Sequence, residues 1–163
     1  MKIRSIFGTT CIIIASCMAI AAEDAVTITP PKGVKNEIGV MKIGSLRCVD
    51  APYTVTVFPE LFAKQQSITI ARGDRLKPGS EYMFGISKAA TVYLCVMKKG
   101  DAKLPEGWKK TEYTIEWTTD GKTKFVDAVF ERSFEAGEVA VPKHMGLDGG
   151  TYAIPHLCVV VPK

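Results

Sequence analysis

The sequence predicts an all-β fold: an antiparallel β-sandwich in a single domain. Three observations carry this. Short apolar or alternating runs recur at intervals of about 8–12 residues, with clusters of Gly, Pro, Asp and Ser between them. An Asp-Gly pair joins two alternating runs in the pattern of a hairpin. Only residues 59–65 have helical character, enough for a turn or two.

The chain opens with an address. Lys2 and Arg4 give a short basic start, an apolar stretch runs from Cys11 to Ala22, and Glu23-Asp24 follow. This is the layout of a signal peptide over residues 1–22: a positive start, an apolar region of about 7–15 residues, then small residues at the cut. A membrane span needs about 20 apolar residues, and Thr9-Thr10 interrupt this one, so no span is expected. Cleavage by signal peptidase at Ala19-Ile20-Ala21 or Ile20-Ala21-Ala22 is favoured, because those small residues end the apolar region. Ile14-Ala15-Ser16-Cys17 also reads as a lipobox, in which Cys17 would carry a lipid anchor, although the apolar Met18-Ala19-Ile20 is unusual after one. A pilin-like leader cut after Gly8 would need a Glu where Ile13 stands. Both favoured readings export the chain, to the periplasm, the outer-membrane surface or the extracellular space.

The formal charge of +4 at pH 7 falls by two when Lys2 and Arg4 leave with the signal. That near balance, without a Lys/Arg run, excludes the electrostatic footprint of a nucleic-acid binder.

Residues 23–36 read as an N-terminal leader, stiffened by Thr29-Pro30-Pro31-Lys32-Gly33, since adjacent prolines disfavour helix and remove donors. The sandwich is expected over 37–163. Strands are expected at 40–46, 53–58, 67–71, 82–86 and 91–97, punctuated by Arg72-Gly73-Asp74 and Lys77-Pro78-Gly79-Ser80. The clearest hairpin joins 113–117 to 123–132 through Asp120-Gly121, which supplies the positive φ a tight turn needs. On its first strand Tyr113, Ile115 and Trp117 share the core face, while Thr114, Glu116 and Thr118 face water. Ala136-Gly137-Glu138 turns the chain into a strand at 139–142. The last strand, at 151–161, holds Pro155, which implies a bulge or an edge position.

Three cysteines lie outside the signal: Cys48, Cys95 and Cys158. Export permits a disulfide, but an odd number leaves one thiol over. Cys95 sits in an apolar strand, where a thiol behaves as a small hydrophobe. Cys48 and Cys158 are the better pair, and three buried free thiols are the alternative.

Several pieces in order resemble a known type of module: Tyr53-Thr54-Val55 before Phe58-Pro59-Glu60-Leu61, Thr91-Val92-Tyr93-Leu94, Pro105-Glu106-Gly107-Trp108, Phe134-Glu135-Ala136-Gly137-Glu138-Val139, and Gly149-Gly150-Thr151-Tyr152. The series is similar to the small immunoglobulin-like accessory domains of bacteria that live on mucin and plant polysaccharide, which often sit at the end of glycan-degrading enzymes. The chain also looks like a free-standing envelope protein of that fold, associated with type IV-pilus-like machinery. The resemblance implies an immunoglobulin-like sandwich and a non-enzymatic role in adhesion or assembly, with envelope proteins or host glycans as partners. It also implies that Trp108 is a framework residue.

The candidate chemistry is sparse. His144 and His156 stand outside any metal-ligand spacing, so a structural role is expected for both and no metal or cofactor is implied. No Gly-x-Ser-x-Gly elbow appears, and no cysteine carries a protease surround. Arg72-Gly73-Asp74 reads as a turn, and Asp148-Gly149-Gly150 as a loop lacking the dense acidic set that calcium needs. The aromatics offer more, because sugar rings stack their C–H faces on exposed Trp and Tyr. Trp108, in the loop 104–110, is the glycan-binding candidate, against the reading that it plugs one end of the sandwich.

Overall fold

The computed structural model describes residues 25–148 and 150–163. The expected signal peptide, its cleavage sites and Cys17 lie outside them. Ten strands form, all paired antiparallel: β1 (Ile28–Thr29), β2 (Asn36–Val40), β3 (Thr54–Val57), β4 (Gln66–Ile70), β5 (Tyr82–Ile86), β6 (Ala90–Met97), β7 (Lys109–Thr118), β8 (Lys124–Phe134), β9 (Gly137–Val141) and β10 (Leu157–Pro162). The expected helical stretch is a single 3₁₀ turn, Glu60–Phe62. Among the described residues, no helix is long and apolar enough to cross a membrane.

The strands make a sandwich of two unequal sheets, β1-β5-β9 and β2-β4-β10-β6-β8-β7-β3. Period-two alternation assigns each side chain to a face. On β6 and β10, Val92, Leu94, Cys158 and Val160 face the small sheet and join Phe84, Ile86, Val139 and Val141 in the main core. Their alternates Tyr93, Cys95, Leu157 and Val159 point the other way, into a second core with Met41, Val55, Phe62, Ile115 and Val129. β10 lies between β4 and β6, and its run of Leu157 to Val160 is buried throughout. A strand covered on both faces reads as a continuous apolar run.

A sheet with apolar side chains on both faces must cover the second one, and this one does so by curling. After β2 the chain keeps pairing: Met41 donates to the Gln65 carbonyl at 2.8 Å. It then crosses to the far edge, where Gly44 and Arg47 donate to the carbonyls of Val55 and Tyr53 at 2.9 and 2.7 Å. The segment expected as a strand over 40–46 is therefore strand only to Val40, and its remainder ties the two edges together.

The N-terminal segment also departs from expectation. Val26 and Ile28 are buried, and β1 pairs with β5, so part of the expected leader belongs to the sandwich. Pro155 falls in the irregular lead-in to β10, before the first ladder position at Leu157.

The Cys48–Cys158 bond is not formed; Cys48, Cys95 and Cys158 are free and buried. Cys158 belongs to the main core, where the Tyr82 hydroxyl donates to its Sγ at 3.2 Å. Cys48 lies in a third cluster with Met97, Trp117 and Ile154. Burial is the largest influence on both thiols and pushes them up, to about 11 for Cys48 and about 12 for Cys158.

Candidate functional site

The hairpin β7–β8 sets one wall of a cleft lined by aromatic side chains. Its register places Trp117 opposite Phe125, and the two rings stack with centroids 4.5 Å apart and planes 15° apart. Trp117 is fixed from behind: its indole N–H donates to Asp127 Oδ1 at 2.8 Å. Tyr53, just before β3, brings a third ring to 5.6 Å from Trp117. With Met97 and Ile154 these side chains form the floor of a cleft of about 410 Å³.

Two loops raise its rim. The loop after β4 contributes Arg72, Arg75 and Leu76, and the segment before β10 contributes Thr151, Tyr152 and Ala153. Tyr152 is 45% exposed and has φ +63°. The left-handed region is unfavourable for a bulky side chain, so the loop holds this ring outward against local preference. The Lys99 ammonium sits 5.0 Å from the Tyr152 ring centroid and 5.6 Å from that of Phe125, bridging the rim ring to the wall. Gly150, at φ +120°, lets the loop approach: a Cβ there would lie 2.4 Å from the Lys77 carbonyl carbon.

A buried polar network supports the floor. Arg47 donates through Nε to Asp127 Oδ2 at 2.8 Å, and through its two Nη atoms to the carbonyls of Pro155 at 2.6 Å and Cys95 at 3.2 Å. Both charged side chains are fully buried. Burial, the largest influence, works against the Arg47 charge, but the Asp127 carboxylate together with Cys48 and Cys95 outweighs it and holds the guanidinium above its ordinary pKa. One aspartate thus anchors the cleft's tryptophan and the arginine that ties residues 47, 95 and 155 together.

Trp108 lies elsewhere. It precedes β7 whereas Trp117 nearly ends it, so the two are separated along the strand by about 30 Å at roughly 3.3 Å per residue. Trp108 is half-buried against the main core, with its ring 5.8 Å from that of Phe134. That is the packing of a plug, and Trp108 does not line the cleft.

Both histidines are buried. His144 Nε2 lies 3.2 Å from the Met97 carbonyl, and Nδ1 accepts from the Gly146 N–H at 3.0 Å. Donation from Nε2 and acceptance at Nδ1 define a neutral ring. His156, 5.6 Å away ring to ring, has no hydrogen-bond partner on either nitrogen among the described residues. Burial lowers the pKa of both, well below the ordinary value for His156, where the nearby Arg47 charge adds to the effect. Among the described residues, no group of three or more His, Cys, Asp or Glu is arranged to hold a metal.

Arg72-Gly73-Asp74 is a turn. Asp50 accepts the backbone N–H groups of Arg72 and Gly73 at 2.6 and 2.9 Å, and Asp74 pairs with Lys77 at 3.8 Å. A second, larger groove of about 950 Å³ runs over the outer face of the small sheet. Its one strongly exposed large apolar side chain is Met83, and the two aromatic residues lining it, Tyr82 and Phe84, are buried.

None of the cleft residues Tyr53, Phe125, Tyr152, Arg72 and Arg75 stands out as a site residue in the sequence. The signal is present in the hairpin: counting outward from Asp120-Gly121 places Trp117 near Phe125. The loops that bring Tyr152 and Arg72 to the same mouth meet only through the fold.

No protein family and no curated protein matches the chain. Among solved structures it is similar to a β-glucuronidase from glycoside hydrolase family 2, with TM-score 0.66 and 15% identity over 83% of this chain and 14% of the other. A second match is a GH138 enzyme targeting pectin rhamnogalacturonan II, with TM-score 0.46 and 13% identity over 83% of this chain and 17% of that one. The chain therefore spans about a seventh of the length of the β-glucuronidase. At this identity the first likeness shows the fold: an antiparallel β-sandwich of the immunoglobulin-like kind, occurring there as one part of a much larger protein.

Proposed function

We propose that this chain is a non-enzymatic carbohydrate-binding module whose saccharide site is the cleft between the β7–β8 hairpin and the loops 72–76 and 151–154. One observation carries the reading. Tyr152 is held at positive φ with its ring exposed, beside an aromatic wall of Trp117, Phe125 and Tyr53. The exposed ring of Tyr152 and the half-buried rings of Tyr53 and Phe125, backed by the buried Trp117, offer a sugar's C–H face an apolar platform, while Thr119, Thr151 and the two arginines supply hydrogen-bonding groups for hydroxyls. The residues lining the cleft include no Asp or Glu, so it lacks the carboxylate pair that glycoside hydrolysis uses.

The similarity of its fold to part of a glycosidase supports a carbohydrate-associated role. For an exported protein, the same contact would serve adhesion to host glycans at the cell envelope. Affinity electrophoresis of the purified protein in gels containing mucin or plant polysaccharide tests the proposal. Retardation that is lost in Tyr152→Ala and kept in Trp108→Ala supports it. Free migration in every gel, or retardation lost only with Trp108, rejects the cleft as the site.

A further inference from the structure

We infer that the cleft selects a sugar bearing a negative charge, a carboxylate or a sulfate, an inference that rests on the carbohydrate-binding reading above. The charges around the cleft are one-sided. Arg72 and Arg75 line it and no acid does. Of the acids beside these arginines in the fold, Asp50 accepts the N–H groups of Arg72 and Gly73, and Asp74 pairs with Lys77. Neither arginine forms an ion pair among the described residues.

Arg72 is also oriented. Its Nε donates to the Ala153 carbonyl at 3.2 Å, tying the β4 rim loop to the Tyr152 loop and leaving its two Nη atoms unengaged among the described residues. A guanidinium fixed through one nitrogen presents the remaining N–H groups as a fork, the geometry that grips a carboxylate or sulfate through two oxygens. Lys99, held over Phe125 and Tyr152, adds positive charge beside the same rings. A neutral sugar would use the rings and leave this charge unanswered. An acidic sugar answers both, with its ring on the aromatic wall and its anion toward the rim.

Titration calorimetry of the purified protein separates the possibilities with three probes of one backbone: an oligosaccharide carrying uronic acids, the same chain with its carboxylates reduced to alcohols, and a sulfated form of that reduced chain. The expected result is that at least one charged probe binds about tenfold tighter than the reduced chain, the size of one charge-assisted contact at a partly exposed site. That advantage should shrink as salt rises, because exposed charges are screened over roughly 10 Å at 0.1 M. Arg75→Gln, an exposed change that should leave the thermal unfolding curve in place, is expected to reduce the advantage of the charged probe over the chain with its carboxylates reduced. Equal binding of all three probes overturns the charge inference and keeps the carbohydrate reading. Binding of none overturns both.

Discussion

Arg47 and Asp127 form an ion pair with no solvent contact, and such a pair is worth little beside two well-packed hydrophobes but much beside half of itself. Arg47→Met would leave the Asp127 carboxylate with the Trp117 N–H as its one side-chain partner among the described residues. It should destabilise the protein by about 3–5 kcal/mol in urea or guanidinium unfolding, whereas a loss under about 1 kcal/mol would show that the network is dispensable. The histidines give a pH dependence. Their folded pKa values lie below the unfolded one of about 6.5, so the unfolded chain takes protons first and stability falls as pH drops below that point. Unfolding followed from pH 7.5 to 5 should show this loss, and His156→Phe should flatten it. The thiols make the opposite case. Being buried and raised, Cys48, Cys95 and Cys158 should resist alkylation at pH 8 and all become reactive on denaturation, as mapped by mass spectrometry. At this scale the sequence is least informative. Arg47 gives no sign that it will be buried, because its partners lie 80, 48 and 108 residues away. The Cys48–Cys158 pairing fails because spacing along a chain does not tell which core a thiol enters.

Elements are far more legible, because a strand announces itself by local alternation and its turn by local chemistry. β5 forms at the residues expected, and β4 and β6 within a residue of them. The Asp120-Gly121 turn closes as a hairpin, with Asp120 accepting from the N–H groups of Lys122 and Thr123 at 2.8 and 2.6 Å. Where the reading fails, the cause is non-local pairing. Nothing within residues 41–47 says that the segment will join both edges of a curled sheet, and two-residue β1 exists only because β5 offers it an edge. The loop carrying Tyr152 is equally constrained by distant contacts. Gly150→Ala would push a methyl group into the Lys77 backbone at an unfavourable φ, so it should destabilise by more than about 1 kcal/mol in denaturant unfolding and weaken saccharide binding with it.

For the whole molecule, the decisive feature is that the large sheet serves two cores, one shared with the small sheet and one inside its own curl. The cleft opens over the third cluster, where β6, β7, β8 and the long connections meet, while Trp108 seals another part of the main core. Composition and periodicity suffice for the fold class, since alternation at strand spacing admits few other architectures. They do not show that Tyr152 reaches the same mouth as Tyr53 and Phe125, because the loops that bring these rings together meet only through the fold. Titration of one set of mucin and plant oligosaccharides into the wild-type, Tyr152→Ala and Trp108→Ala proteins, each first shown to be folded by circular dichroism, decides whether the cleft is a saccharide site. Saturable binding that Tyr152→Ala weakens about tenfold or more, as loss of one stacking ring would, and that Trp108→Ala preserves, is the predicted result. Absence of binding by the wild type, or binding indifferent to Tyr152, would contradict it.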